Sequence, residues 1–153
     1  MVGQFDVSAH MEELRLGDQF VRYDRQATVT AYVGIPSGGA ERCGCSYCRN
    51  FAAQRNLAYP EAFRTLLDQL GIYSRKEGEA YEMGPARDGT RLYGGWFFFV
   101  GELIEKGERL IQGGDFQYWF RPSFPRPPAS FGNQVAAIEF STQVPWVLEE
   151  SPC

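Results

Sequence analysis

Apolar positions in the middle of the chain follow the spacing of an amphipathic helix. Between residues 60 and 71 they recur at i, i+3, i+4 and i+7, which places them on one helix face: Phe63, Leu66, Leu67 and Leu70. Pro60 suits a first helical position and Gly71 suits a C-terminal stop. We therefore predict a helix between these two residues, with its apolar face in the core. Residues 48–57 contain good helix formers and no breaker, so a helix is predicted there as well.

Other segments carry the β-branched and aromatic residues that are typical of strands. Near the N-terminus, 19–23 and 28–33 predict two strands, and the polar residues 24–26 between them suit a hairpin turn. Four further strands are predicted in the second half of the chain, at 80–83, 92–103, 116–120 and 135–140. The sum predicts an α+β fold, a mostly antiparallel β-sheet with two helices inserted after an N-terminal hairpin.

Glycine and proline refine the predicted strands. Asp88-Gly89 is a common hairpin dipeptide and would join 80–83 to 92–103. Gly94-Gly95 predicts a bulge or the close approach of another backbone. Four prolines in 122–128 exclude regular structure, and because aromatic residues flank them we expect a rigid loop folded against the sheet.

Composition limits the class of protein. The chain has 153 residues, 44% hydrophobic, with 15 Lys and Arg against 19 Asp and Glu. This length and composition predict one globular domain over residues 1–153. The net charge of −4 argues against a general nucleic-acid binder, which needs a basic surface. No stretch approaches the roughly 18 apolar residues of a membrane span.

The first ten residues show no basic region followed by an apolar one, so we expect no secretory signal and a cytoplasmic protein. The dipeptide His10-Met11 is typical of a cloning junction. Residues 1–10 are therefore expected to be an expression remnant or disordered.

Three of the four cysteines form a C-x-C-x-x-C cluster at Cys43, Cys45 and Cys48. On a tight turn, which Gly44 permits, such thiolates can converge on one ion about 2.3 Å from each sulfur. Soft sulfur donors in a reducing compartment favour zinc over hard cations. Arg42 and Arg49 would favour the thiolate forms. A C-x-x-C redox pair and inert buried thiols remain the alternatives.

The cluster provides three ligands, and the fourth stays open in the sequence. Cys153, His10, the carboxylate of Glu41 and a water molecule are the candidates. Four protein ligands would indicate a structural site, whereas an open position would indicate a catalytic one.

The string from Cys43 to Arg49 resembles the C-x-C-x-x-C-R element of the glutathione-dependent formaldehyde-activating enzymes. The resemblance implies a zinc held by Cys43, Cys45 and Cys48, with an open position facing the substrate. The second, structural zinc of that family has no cysteine counterpart in this chain.

The sequence thus supports three hypotheses. The first is a small zinc-binding domain that acts as a binding or regulatory protein for a protein partner or a small molecule. The second is a zinc enzyme acting on a thiol adduct, in the manner of a carbon–sulfur lyase. The third is a metal-free inhibitor or immunity-type protein that binds a partner. No other catalytic constellation is visible, so catalytic residues stay unassigned and enzyme activity stays open.

Overall fold

The computed structural model describes residues 11–108, 111–113 and 115–152, and only the backbone of 111–113. The predictions for residues 1–10 and for Cys153 lie outside this part of the chain. In order, its regular elements are β1 (Glu12–Leu16), β2 (Gln19–Tyr23), α1 (Arg25–Val33), α2 (Gly39–Cys43), α3 (Ser46–Ala58), α4 (Glu61–Leu70), β3 (Glu79–Pro85), β4 (Arg91–Glu105), β5 (Ile111–Gly113), β6 (Phe116–Arg121) and β7 (Val135–Val144), with short 3-10 turns at Arg87–Gly89 and Ala129–Phe131.

The described strands form one sheet in which all pairs are antiparallel, so the predicted α+β class is confirmed. The order is β1-β2-β4-β7-β6-β5, and β3 also pairs with β4. The 15-residue strand β4 is the centre of this arrangement. Its first half pairs with β3 and its last residues with β2, while β7 lies along the opposite edge. The apolar run of β4 is explained by coverage of both sheet faces, since Phe97 packs against Tyr59 and Phe63 while Phe98 packs against Phe124 and Phe131.

The prediction of a strand at 28–33 is wrong, because these residues belong to helix α1. The first hairpin is instead β1–β2, and the described residues contain four α-helices where two were predicted. Asp24 caps α1 by accepting a hydrogen bond from the Ala27 backbone N–H at 3.0 Å. On the buried face, Tyr32 donates to the Phe98 carbonyl at 2.6 Å. The N-cap hydrogen bond of Asp24 and the Tyr32–Phe98 contact together outweigh the weak preference of the β-branched residues for strands.

The other two helix predictions are confirmed. Residues 48–57 lie within α3, and α4 ends at Leu70, followed by the C-cap Gly71, whose φ of 84° is left-handed. All four predicted core residues of α4 are buried. Phe63 is fully buried, and its ring centroid lies 4.8 Å from that of Phe116 and 5.8 Å from that of Phe140. An aromatic core therefore joins α4 to the sheet.

The predicted strands at 80–83, 92–103, 116–120 and 135–140 are all present, and the first two form the expected hairpin. At Gly95 the neighbouring backbone comes close, since a Cβ there would meet the Glu79 carbonyl oxygen at 2.6 Å. The register shift in this hairpin lies instead between Glu82 and Gly84. The proline segment packs on the sheet, with the Phe124 ring 5.7 Å from that of Phe98.

Candidate metal centre

The C-x-C-x-x-C cluster lies at the turn between α2 and α3. Helix α2 ends at Cys43, and Gly44 reverses the chain with a left-handed φ of 72°. Cys45 is the N-cap of α3, and its sulfur accepts a hydrogen bond from the Cys48 backbone N–H at 3.5 Å. This geometry brings all three sulfurs within 4.8 Å of one another. A tetrahedral zinc with bonds of about 2.3 Å requires sulfurs about 3.8 Å apart, which small side-chain adjustments would provide.

The three thiols differ in exposure. Cys43 is exposed, Cys45 is half-buried and Cys48 is buried. The Cys48 sulfur lies 4.0 Å from the Ala80 carbonyl of β3. The cluster therefore has a buried floor against the sheet and one side that faces solvent.

The same arrangement separates the proton affinities of the thiols. The Cys45 backbone N–H donates to the Cys43 sulfur and, with hydrogen bonds from the other two thiols, lowers the pKa of Cys43. Burial, followed by hydrogen bonding to the other cysteines, raises the pKa of Cys48 well above its usual value. A soft cation would displace the Cys48 proton, because the thiolate is the form that ligates metals.

Arg42 and Arg49 were expected to favour the thiolate forms, but neither is the main cause of the pKa shifts of Cys43 and Cys48. Arg42 donates to the carbonyls of Ser37 and Gly78, at 2.8 Å each, and so connects α2 to the start of β3. Arg49 donates from Nε to the Gly44 carbonyl at 3.1 Å and forms an ion pair with Glu150. Both side chains hold the backbone around the cysteines in place.

The structure gives a different result for each candidate fourth ligand. Glu41 forms an ion pair with the buried Arg55, which occupies its carboxylate. Cys153 and His10 lie outside the described residues. Glu79 is a carboxylate that sequence reasoning missed, and its charge acts on the Cys43 thiol and opposes ionisation. Between residues 11 and 152, the described Cys, His, Asp and Glu side chains form one metal-compatible group, the three cysteines.

A buried ion pair beside the cluster was also missed by sequence reasoning. Arg55 of α3 is 2% exposed and donates to both oxygens of Glu77, at 2.5 and 3.1 Å, and to the Arg75 carbonyl at 2.8 Å. Burial raises the pKa of Glu77 to about 7, against the opposing charge of Arg55. The Glu77 carbonyl accepts from the Gly39 N–H at 2.8 Å. This network holds α2, α3 and the residues before β3 together. The only sequence signal for the Arg55–Glu77 pair was one charged residue in each of two segments that share no pattern.

A cavity of about 440 Å³ adjoins α2 and is lined in part by Arg42. The aromatic side chains of Trp96, Phe98 and Phe131 and the proline loop form its apolar lining. Its charged lining has both signs, with the cations Arg42, Lys76 and Arg126 and the carboxylates Glu77 and Glu79.

The longest described helix has 13 residues, and none of the helices in that part of the chain could cross a bilayer. Comparison of the chain with protein-family models, with curated proteins and with solved structures finds no match.

Proposed function

We propose that this chain is a small zinc-binding protein, in which Cys43, Cys45 and Cys48 hold a structural ion, and that it acts by binding a partner or ligand. The supporting observation is the convergence of three sulfurs within 4.8 Å at one helix–helix turn. Thiolates favour zinc among the common divalent cations. The resemblance of Cys43 to Arg49 to a zinc-binding element is consistent with the same metal.

A structural role follows from where the cluster lies. Helix α2 has only five residues, too few to be stable alone. Its C-terminal residue is Cys43, while Cys48 contacts β3. One ion bound to both would connect α2, α3 and the sheet, in the manner of a cross-link.

The binding role is supported by the cavity next to α2. Arg42 lines this cavity and immediately precedes Cys43, so a metal that fixes the end of α2 would also fix one cavity wall. Aromatic walls with charged groups of both signs suit a small molecule or a peptide segment that carries an apolar group and polar groups.

Metal analysis of the purified protein under reducing conditions tests the proposal. We expect one zinc per chain that survives gel filtration, and loss of that zinc in Cys43→Ser. Because Cys43 is exposed, this substitution leaves the core intact. Ser123→Ala, on the exposed proline loop, is the matched control and should keep its zinc. A wild-type protein that binds no transition metal would overturn the proposal and favour the metal-free partner-binding hypothesis.

The enzyme hypothesis is favoured by one observation, the exposure of Cys43, which would let a substrate thiol reach the ion. In that case the zinc carries an exchangeable water. Turnover of a thiol adduct by the zinc-loaded protein, abolished in Cys43→Ser, would replace the structural role by a catalytic one.

A further inference from the structure

We propose that Cys43 is a site of oxidation by hydrogen peroxide, and that Cys48 converts the oxidised form into a Cys43–Cys48 disulfide. The disulfide requires only the cysteine cluster, whereas its consequence, the release of the metal, rests on the zinc site proposed above. Two of the three ligands are consumed, so the oxidised protein no longer holds zinc. The cluster is then a peroxide-sensitive site in addition to a structural one.

The exposure of the thiols decides which sulfur the oxidant reaches. Cys43, the last residue of α2, is exposed to solvent. Cys48 is only 6% exposed, and its sulfur lies 4.0 Å from the Ala80 carbonyl of β3. The oxidation of a cysteine by peroxide follows the exposure of its sulfur. Cys43 is therefore oxidised first, and Cys48 is kept reduced until an oxidised partner forms beside it.

The second thiol already lies next to the Cys43 sulfur. All three sulfurs lie within 4.8 Å of one another, and the Cys48 thiol donates a hydrogen bond to Cys43. A disulfide bond is about 2.0 Å long, so the two sulfurs need to approach by less than about 3 Å. Gly44 gives the turn room for this movement. Apart from its chain neighbours, no described atom lies within 4 Å of a Cβ built at Gly44.

Cys45 is a poorer partner for Cys43 than Cys48 is. Only Gly44 separates Cys45 from Cys43, and a disulfide across so short a spacing departs from the preferred disulfide geometry. The Cys45 sulfur also serves as the N-cap acceptor of α3, 3.5 Å from the Cys48 backbone nitrogen. Cys48 is five residues from Cys43, on the opposite side of the turn, which allows a larger and less strained ring.

The reaction has two steps and uses one molecule of hydrogen peroxide. In the first step the Cys43 thiolate attacks a peroxide oxygen, so an S–O bond forms, the O–O bond breaks and hydroxide leaves. In the second step the Cys48 thiolate attacks the Cys43 sulfur, so the S–S bond forms, the S–O bond breaks and a second hydroxide leaves. The two sulfurs together lose two electrons, and the two peroxide oxygens gain them.

The structure also indicates that oxidation releases the metal without unfolding the chain. Cys45 alone is left as a ligand, which is too few for a stable zinc site. Helix α2 stays attached to its surroundings, because Glu41 pairs with Arg55 of α3 and Arg42 donates to two carbonyl groups. The disulfide itself replaces the metal as the link between the end of α2 and α3.

Peroxide treatment of the full chain, freed of metal by chelator and reductant, tests the oxidation site. Peptide mapping by mass spectrometry should find a Cys43–Cys48 disulfide in wild type and in Cys45→Ser, the matched control that keeps both thiols. Cys48→Ser should stop at a sulfenic acid on Cys43, which dimedone traps. Cys43→Ser should form a disulfide at least about tenfold more slowly. The urea-unfolded wild type should also be about tenfold slower, because the fold holds the two sulfurs together.

The zinc-loaded wild type tests the consequence of oxidation. In the presence of a zinc-sensitive dye, peroxide should release about one zinc per disulfide formed, while far-ultraviolet circular dichroism keeps the spectrum of the folded chain. Dithiothreitol should restore zinc binding, because thiols reverse a disulfide but not a sulfinic acid.

The outcomes separate this inference from the zinc site. A disulfide between any other pair of cysteines overturns the inference, and so does one that forms no faster in the folded than in the unfolded chain. Zinc release through sulfinic acid, with no disulfide, overturns it as well. A wild-type protein that binds no zinc but forms the Cys43–Cys48 disulfide overturns the zinc site alone and leaves the oxidation site standing.

Discussion

The sharpest prediction concerns Cys45, because this residue has two roles that a single substitution separates. As the N-cap of α3, its sulfur accepts a weak hydrogen bond from the Cys48 N–H at 3.5 Å. As a member of the cluster, it would ligate zinc. Cys45→Ser replaces a poor cap acceptor with a good one and removes a thiolate. We therefore expect opposite effects on stability with and without the metal.

The magnitudes follow from the two roles. In metal-free protein, serine at an N-cap is worth about 0.5–1 kcal/mol more than a non-capping residue, so Cys45→Ser should match or slightly exceed the wild type. Free zinc at about 1,000 times its Kd stabilises wild type by about 4.1 kcal/mol. A variant that binds 100-fold more weakly would gain only about 1.4 kcal/mol under the same conditions. For a chain of this length, the wild-type gain corresponds to a rise in Tm of about 8–16 °C.

Urea unfolding followed by far-ultraviolet circular dichroism, in buffered zinc and in chelator, measures both effects. Cys45→Ala is the matched control, since it lacks both the ligand and the cap. It should fall below Cys45→Ser by about 1 kcal/mol in chelator and show the same reduced response to zinc. If zinc stabilises Cys45→Ser as much as wild type, Cys45 is not a ligand. If chelator leaves the wild-type midpoint unchanged, the cluster contributes no metal-dependent stability.

Three other predictions concern the elements around the site. Phe63→Ala should lower the free energy of unfolding in urea by about 3–5 kcal/mol, because the loss of its fully buried ring would leave a cavity. The control Leu57→Ala, at a 90% exposed position, should change it by less than about 0.5 kcal/mol. Similar losses at both positions would contradict the core assignment. The pKa of Glu77 is raised to about 7 from 4.5, so the folded protein binds an extra proton between these values and its stability declines as pH rises through that window. The stability of wild type relative to Glu77→Gln should therefore fall as pH rises from about 5 to 8, and a rise over the same range would mean that Arg55 lowers the pKa instead. Gly38→Ala should destabilise the protein by about 2 kcal/mol or more, because its Cβ would clash with the Glu77 carboxylate; an unchanged midpoint in urea would show that this junction is loose.

The structure also shows where local sequence signals fail. Residues 28–33 carry strand-forming residues, yet they form a helix because Asp24 caps it and Tyr32 bonds to Phe98, 66 positions away. A propensity scale contains neither contact. By contrast, α4 was predictable because its spacing, its start at Pro60 and its stop at Gly71 all agree.

The sequence by itself determined that the sulfurs of Cys43, Cys45 and Cys48 could lie close together. Six consecutive residues with a glycine turn bring them together through local backbone geometry alone. Only the tertiary structure decided what surrounds them. The Arg55–Glu77 pair joins residues 22 positions apart, and the contact of Glu150 with Arg49 joins residues 101 positions apart. Such contacts arise when packed elements bring distant segments together. The burial of Cys48 and the contacts of residues 145–150 with α3 therefore follow from how α3 packs on the sheet, which no local pattern encodes.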